Sequence, residues 1–241
     1  YLTMMRRKHW SYSDSTLMTS RPSTSRGIEK MLLDSLATYQ GFWRADMSSA
    51  TDWVANKLAA EERLKVVNRT DEGFLVVKEN DEYTFLVAVL GVRDVIRLSD
   101  AEALFEGAAT PDLVVNVPST ALWSGAAIDF IHAVPAAFGT LGDISRAADT
   151  KAANRFRDKN MGFFINAMQQ HGNVISVSYV YNNVFKVNRR KGESITVAVI
   201  DAYNMSAEDV RNARTRVGHF DVVVKSSSYG SITKQARATA Q

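Results

Sequence analysis

The sequence predicts an α/β protein of two similar strand–helix–strand units with mixed or parallel sheets, preceded by a helical N-terminal segment and a flexible basic arm. Apolar strand-like runs alternate with amphipathic, capped helical runs, which is typical of parallel strands joined by crossover helices. "VAVL" at Val87 is matched by "VAVI" at Val197, and "DLVVNVPS" at Asp112 by "DVVVKSSS" at Asp221. These near-equal offsets favour a repeated unit, although short Val-rich strands also resemble one another by chance.

The domain boundaries follow from changes in composition along the chain. We expect a flexible arm over residues 1–26, an N-terminal α/β unit over 27–143, a helical linker over 144–172 and a C-terminal α/β unit over 173–241. The chain ends inside a predicted helix, so we expect it to continue beyond residue 241.

The first unit is predicted to begin with two helices, "RGIEKMLLDSLATYQ" and "SSATDWVANKLAAEERLKVV". A hairpin follows, formed by "GFLVVKEN" and "EYTFLVAVLGV". Ser99 and Glu102 form the predicted capping box of a short helix, and "PDLVVNVPS" is a buried strand. "SGAAIDFIHAVPAAFG" is predicted to be a helix that Pro135 breaks.

The second unit is predicted to follow a long helical stretch from Ile144 to His171, interrupted near Gly162. A β-region with a basic turn comes next, and then a helix whose capping pair is Ser206 and Asp209. The strand "FDVVV", a Ser/Gly turn and a final helix complete the unit.

Composition and motifs exclude several chemistries. The chain has no cysteine, which excludes disulfides, thiolate zinc sites and cysteine nucleophiles, and its four histidines are widely spaced. We therefore predict no metal site. Neither a P-loop, a G-x-G-x-x-G fingerprint nor a G-x-S-x-G elbow occurs. No apolar run is long enough to cross a membrane and no secretory signal is evident, so we expect a cytoplasmic protein.

Positive charge is clustered although the net charge is only +3. The predicted nucleic-acid-binding residues are Arg189, Arg190 and Lys191 in a turn, together with Arg155 and Arg157 on a helix. Aromatic rings in the strands beside the turn could stack on bases; these are Tyr179, Tyr181 and Phe185. The alternative is a solvated turn above core aromatics, since strand alternation places the three rings on one side.

Two strand-end turns are candidate ligand sites, because helix N-termini beyond the carboxyl ends of strands offer free N–H groups to anions. The predicted ligand-binding residues are Ser226, Ser227, Ser228 and Gly230 in the second unit, and Ser119 and Gly125 in the first. Ordinary turn chemistry explains the same residues, with Thr233 as a helix cap.

The C-terminal third, "ITVAVIDAYNMSAEDVRNARTRVGHFDVVVKSSSYGSITKQARATA", resembles the back half of restriction-endonuclease-like folds of the Mrr type. The resemblance implies a strand, helix and strand leading to a Ser/Thr-bearing turn and an Ala-rich helix. The family's Asp and (Asp/Glu)-x-Lys signature is missing, since only "DTK" at Asp149 has that spacing and it lies in a predicted helix. The remaining catalytic candidates are Asp201, Asp221 and Lys225, with Mg²⁺ as cofactor only for an active nuclease.

These observations predict a nuclease-like module that binds DNA or RNA. We expect it to act within a larger assembly, such as a bacterial defence or DNA-processing complex; the sequence leaves open whether the module catalyses a reaction or has lost that activity. One alternative is an enzyme that binds a small molecule or nucleotide at the strand-end turns. The other is a structural assembly subunit with protein partners or a homo-oligomeric state.

Overall fold

The computed structural model describes residues 49–80 and 82–240, all of which belong to one compact body. The fold is mixed α/β, as the sequence predicts. The predicted arm over 1–26, with its basic residues, and the predicted helix that follows it lie outside the described residues.

The first unit, residues 49–149, is built on a five-stranded sheet of order β1-β2-β3-β5-β7. Strands β1 to β3 form an antiparallel meander, whereas β5 is parallel to β3 and β7 is parallel to β5. A short parallel pair joins β4 and β6. The elements are α1 (49–59), β1 (Leu64–Arg69), β2 (Leu75–Glu79), β3 (Tyr83–Leu90), β4 (Val95–Ile96), α2 (Leu98–Glu102), β5 (Leu113–Asn116), β6 (Leu122–Trp123), α3 (Gly125–Ala133), β7 (Ala137–Thr140) and α4 (Leu141–Asp149).

The second unit, residues 159–240, is built on a four-stranded sheet of order β8-β9-β10-β11. Strands β8 to β10 are antiparallel, and β11 is parallel to β10. The elements are α5 (Lys159–Gln169), β8 (Val174–Tyr181), β9 (Val184–Arg189), β10 (Ile195–Ile200), α6 (Ala207–Val217), β11 (Val222–Lys225) and α7 (Lys234–Ala240).

The two units repeat the same strand register. In the first unit Val87 pairs with Leu75 on one side and Leu113 on the other. In the second unit Val197, which occupies the place of Val87, pairs with Phe185 and Val222. Helix α5 likewise occupies the place of α1, so the repeat extends over the whole second unit.

Side chains that fix the strand and helix ends also repeat. Asp112 Oδ2 accepts a hydrogen bond from the amide of Leu86 at 2.8 Å, and Asp221 Oδ2 accepts one from Thr196 at 2.7 Å. Ser124 caps α3 and Thr233 caps α7, each by accepting from the amide three residues on. The similarity seen in the sequence is therefore a repeat in three dimensions.

Helices cover both faces of the first sheet. One face packs against α1 and α4, and the other packs against α2 and α3. In the second sheet α5 covers the first of these faces, without a counterpart of α4 among residues 49–80 and 82–240, whereas α6 and α7 cover the other. Of the residues that the structure describes, fewer therefore cover the second sheet than the first.

Three strand and cap predictions were confirmed, whereas four strands were missed: β1, the two-residue strands β4 and β6, and β7. The β2–β3 hairpin, the buried strand β5 and the Ser206–Asp209 capping box are present as predicted. The helix predicted to run through Leu64 ends at residue 59, and Leu64 instead opens β1, where Val66 and Val67 favour a strand. After α3 ends, the chain forms β7.

The short helix α2 is capped differently from the prediction. Its N-cap is Arg97, whose amide donates to Asp100 Oδ2 at 2.7 Å, so Ser99 and Glu102 do not form the capping box. The stretch from Ile144 to His171 contains two helices, because α4 ends at Asp149 and α5 begins at Lys159. Helix α4 packs in the first core and α5 in the second.

Candidate nucleic-acid interface

The basic turn between β9 and β10 is held firmly by its backbone. The amides of Arg190 and Lys191 donate to the backbone and side-chain oxygens of Asn173, at 2.8 and 3.0 Å. Arg189 Nε donates to the carbonyl of Glu193 at 2.7 Å, across a turn in which Gly192 has φ of +87°. Within the described ranges, the exposed side chains of Arg190 and Lys191 have no acidic partner, so both charges face solvent.

A polar surface of the second sheet adjoins this turn. Alternate residues of a strand face one side, so Lys186 and Asn188 of β9 lie on the same face, in line with Arg190. Asn188 Nδ2 donates to Ser176 Oγ at 2.8 Å, and Asn188 Oδ1 accepts from Ser194 Oγ at 2.7 Å. We call this the polar sheet surface; its residues are Ser176, Ser178, Lys186, Asn188, Ser194 and Thr196.

The polar sheet surface is open because α6 and α7 cover only one end of that face. Their apolar residues pack on Ala198 and Ile200, beyond Thr196. In the first unit the places of Lys186 and Thr196 are taken by Val76 and Leu86. The sequence analysis did not predict this surface. The alternation of polar residues in β8 and β9 indicated it, but whether the surface is exposed depends on the position of α6 and α7.

The aromatic rings beside the basic turn are not available to stack on bases. Phe185 is fully buried, and Tyr179 packs on it with ring centroids 4.9 Å apart. Tyr181 does not share their side, because the register shifts between Tyr179 and Tyr181 and turns the Tyr181 ring towards Val184. The three rings therefore pack into two different cores.

Arg155 and Arg157 lie at the other end of α5 from the basic turn. The helix has 11 residues and is about 16 Å long, so the two basic clusters do not form one surface. The Arg157 guanidinium donates to the carbonyls of Phe156, at 2.6 Å, and Ala136, and burial lowers its pKa. Arg155 is exposed at the end of a 3-10 turn, Ala153–Arg155.

The polar side chains at the turn after β11 form hydrogen bonds with neighbouring groups of the protein. Lys225 Nζ donates to the carbonyls of Ser227 and Tyr229, and Ser226 Oγ donates to Asp201 Oδ1 at 2.8 Å. Ser228 is exposed. Gly230 has φ of +75°, and a Cβ there would lie 1.9 Å from the carbonyl oxygen of Tyr203. These contacts match ordinary turn chemistry, with Thr233 as the helix cap.

The two strand-end turns do not meet. Arg216, at the C-terminal end of α6, donates to the carbonyl of Thr120 beside Ser119, whereas the turn at Ser226 follows β11, at the N-terminal end of the same helix. The length of α6 therefore separates them. Gly125 instead packs against β8, where Ser124 bridges to Tyr181.

The three catalytic candidates have separate structural partners. Asp201 binds Ser226, Asp221 holds the amide of Thr196, and Lys225 binds backbone carbonyls. Over residues 49–80 and 82–240, no group of three or more His, Cys, Asp or Glu side chains is placed to hold a metal ion.

The "DTK" run at Asp149 belongs to an ion-pair network in the first unit. Lys151 Nζ lies 2.5 Å from Oε2 of the buried Glu79, and Arg63 pairs with both Glu79 and Asp149. The hydrogen bond to Glu79 raises the pKa of Lys151. Two cations thus neutralise the buried carboxylate and tie the β2–β3 hairpin to the end of α4.

The units meet at an aromatic cluster that contains a buried histidine. His132 of α3 lies between Phe138 and Tyr179, with ring centroids 5.6 and 6.0 Å away. Its Nε2 is buried and has no hydrogen-bond partner in the part of the chain described. Burial, with a smaller contribution from the Arg157 charge, lowers the pKa of His132 to about 4, and burial raises that of Tyr179 to about 12.

Acid is expected to destabilise the protein through His132. Between its folded pKa of about 4 and its unfolded value of 6.5, the unfolded chain binds the proton more readily, so stability falls as pH decreases through this range. Because the side chain is partly exposed, we expect a loss of about 1 kcal/mol between pH 7 and 5. Urea unfolding at pH 7 and at pH 5 should show this loss of stability. In a His132→Phe variant the loss between the two pH values should be smaller by about 1 kcal/mol. An equal loss in both proteins would contradict the assignment.

Comparison with protein-family models, curated proteins and solved structures gave no match to the chain. Among the helices of the described residues, none is long and apolar enough to span a membrane.

Proposed function

We propose that the protein is a nuclease-like module that binds nucleic acid without cleaving it, as part of a larger assembly. The observation that carries this proposal is the polar sheet surface with the exposed Arg190 and Lys191 at its end. Lys186, in the middle strand of that surface, extends the positive charge along β9.

The chemistry of this surface suits a phosphate backbone. From Lys186 to Arg190 a strand spans about 13 Å, which is long enough for the cations to reach successive phosphates. Ser176, Ser178 and Asn188 add hydrogen-bonding groups that can contact phosphate or sugar oxygens. Since the nearby rings are buried, contacts to the backbone rather than base stacking would supply the affinity.

Two further observations support a nuclease-like module without catalysis. The order β10, α6, β11, serine-bearing turn and α7 is the order expected from the resemblance to restriction-endonuclease-like folds. Asp201, Asp221 and Lys225 each have a structural partner, and the described residues contain no candidate metal cluster.

Fluorescence anisotropy with a labelled duplex and a labelled single strand at low salt tests the proposal. A combined change of Lys186, Arg190 and Lys191 to Ala should weaken binding roughly tenfold or more, because each phosphate contact contributes counterion release. The slope of log affinity against log salt should fall by about 2 to 3. The matched control removes three exposed cations elsewhere, by changing Lys65, Arg93 and Arg237 to Ala.

Two results would count against the proposal. Absence of binding to either probe at low salt, or an equal loss in the control variant, would exclude this surface as a nucleic-acid interface. Cleavage of either probe in the presence of Mg²⁺ would show that the module is catalytic.

A further inference from the structure

The cations of the polar sheet surface lie in a single row along β9. Lys186, Asn188 and Arg190 alternate on one face, and the amide of Arg190 donates to the carbonyl of Asn173 at 2.8 Å, so the pairing with the β8 side continues through Arg190. On both sides of the row this face carries hydroxyl groups, those of Ser176, Ser178, Ser194 and Thr196. Neither β8 nor β10 contains a lysine or an arginine. The positive charge of the sheet therefore follows one line.

The arginines of the neighbouring helix α6 do not add a second row, because each is turned to another partner. These contacts are Arg211 with Glu208, Arg214 with Phe220 and Arg216 with Thr120. A duplex presents two rows of phosphates, one on either side of each groove, whereas a single strand presents one. The pattern of charge on the sheet matches a single strand.

Asn188 and Ser176 supply hydrogen-bond donors at the middle of the row. Asn188 Nδ2 donates one hydrogen to Ser176 Oγ at 2.8 Å, and Asn188 Oδ1 accepts from Ser194 Oγ at 2.7 Å. The second Nδ2 hydrogen and the hydroxyl hydrogen of Ser176 have no acceptor among residues 49–80 and 82–240. A phosphate oxygen accepts such hydrogens, so neutral donors take the place of a cation between Lys186 and Arg190.

We propose that the ligand of the polar sheet surface is a single strand of DNA or RNA that runs along β9 and is bound independently of its sequence; this inference rests on the proposed function. Alternate strand residues lie about 7 Å apart, close to the separation of adjacent phosphates in an extended strand. One phosphate lies at Lys186, the next at Asn188 and Ser176, and the third at Arg190, with Lys191 beside it. The bases face solvent, and phosphate contacts carry no sequence information.

Fluorescence anisotropy of the full chain at low salt tests the number of strands. The probes are a labelled mixed-sequence DNA of about 12 nucleotides, the same DNA annealed to its complement, and an RNA of the same sequence. We expect the single strand to bind at least roughly tenfold more tightly than the duplex, with DNA and RNA within about threefold of each other. The slope of log affinity against log salt should be about 2, from three cations at about 0.7 each.

Variants of Asn188 test the position of the strand on β9. Asn188→Lys adds a cation within the row, so the slope for the single strand should rise by about 0.7. Asn188→Leu removes neutral donors and should weaken binding about threefold or more with the slope unchanged. The matched control is Asn68→Lys, which adds the same charge at an exposed position of β1 in the first unit and should leave the slope unchanged. Unaltered melting temperatures would show that the variants are folded.

The outcomes separate this inference from the proposed function. Binding of the duplex as tightly as the single strand, or an equal rise in slope from Asn188→Lys and Asn68→Lys, would overturn the inference and leave nucleic-acid binding in place. Loss of binding to all three probes would overturn both. Equal competition by polyglutamate of the same charge would also overturn both, since it would assign the row to acidic protein segments.

Discussion

Replacing Gly125 with alanine is expected to disrupt the packing between the two units. Gly125 opens α3 and is buried against β8, and a Cβ there would lie 2.1 Å from the carbonyl oxygen of Tyr179 and 2.8 Å from its carbonyl carbon. The clashing atoms belong to the backbone of Tyr179, which cannot relieve the contact by changing rotamer. We expect a loss of about 3 kcal/mol in the free energy of unfolding.

Gly162 provides the matched control for this prediction. It also lies in a helix, α5, but a Cβ there would meet nothing within 4 Å. Gly162→Ala should be neutral or stabilise the protein by up to about 1 kcal/mol, because alanine is the better helix former. Chemical denaturation of both variants measures the difference, and equal stabilities would show that Gly125 is not a close contact.

Replacing Asn116 with leucine is expected to cost about 2 to 4 kcal/mol, since it leaves buried polar groups without partners. Asn116 is 1% exposed at the end of β5. Its Oδ1 accepts from the amide of Val92 at 3.0 Å, and its Nδ2 donates to the carbonyls of Val92 and Pro118, at 2.8 and 3.0 Å. Leucine fills a similar volume but satisfies none of these groups.

The repeat supplies the control. Lys225 occupies the place of Asn116 in β11, and it also donates to the carbonyl two residues on, that of Ser227. This contact is only partly buried, so water can replace the lysine, and Lys225→Leu should cost less than about 1 kcal/mol. If urea denaturation gave the same loss for both variants, the difference in burial would not govern these contacts.

The sequence analysis predicted correctly those elements whose determining residues lie close together in the sequence. The apolar run of β5 and the capping box of α6 are complete within a few residues, so both could be recognised from the sequence. Strand β7 has only four residues and contains Gly139, and it is stabilised by pairing with β5, a contact distant in sequence. Strand β1 was missed because Leu64 continues the helical spacing of α1 by coincidence.

The same distinction applies to the candidate site. A run of three cations in a turn was evident, and Arg190 and Lys191 are exposed as that pattern indicates. Lys186 and Asn188 were overlooked because their exposure depends on where α6 and α7 end above the sheet. Tyr181 was placed on the wrong side because a register shift in β8 cannot be seen in a simple alternation.

One position of the repeat has opposite chemistry in its two copies. Glu79, paired with Leu64, is buried under Lys151, whereas its counterpart Arg189, paired with Val174, begins a turn of three like charges. Like charges side by side repel one another and weaken the fold that carries them. One copy therefore uses the charged residue to tie its hairpin to the end of α4, whereas the other presents three cations whose mutual repulsion an anionic ligand would reduce.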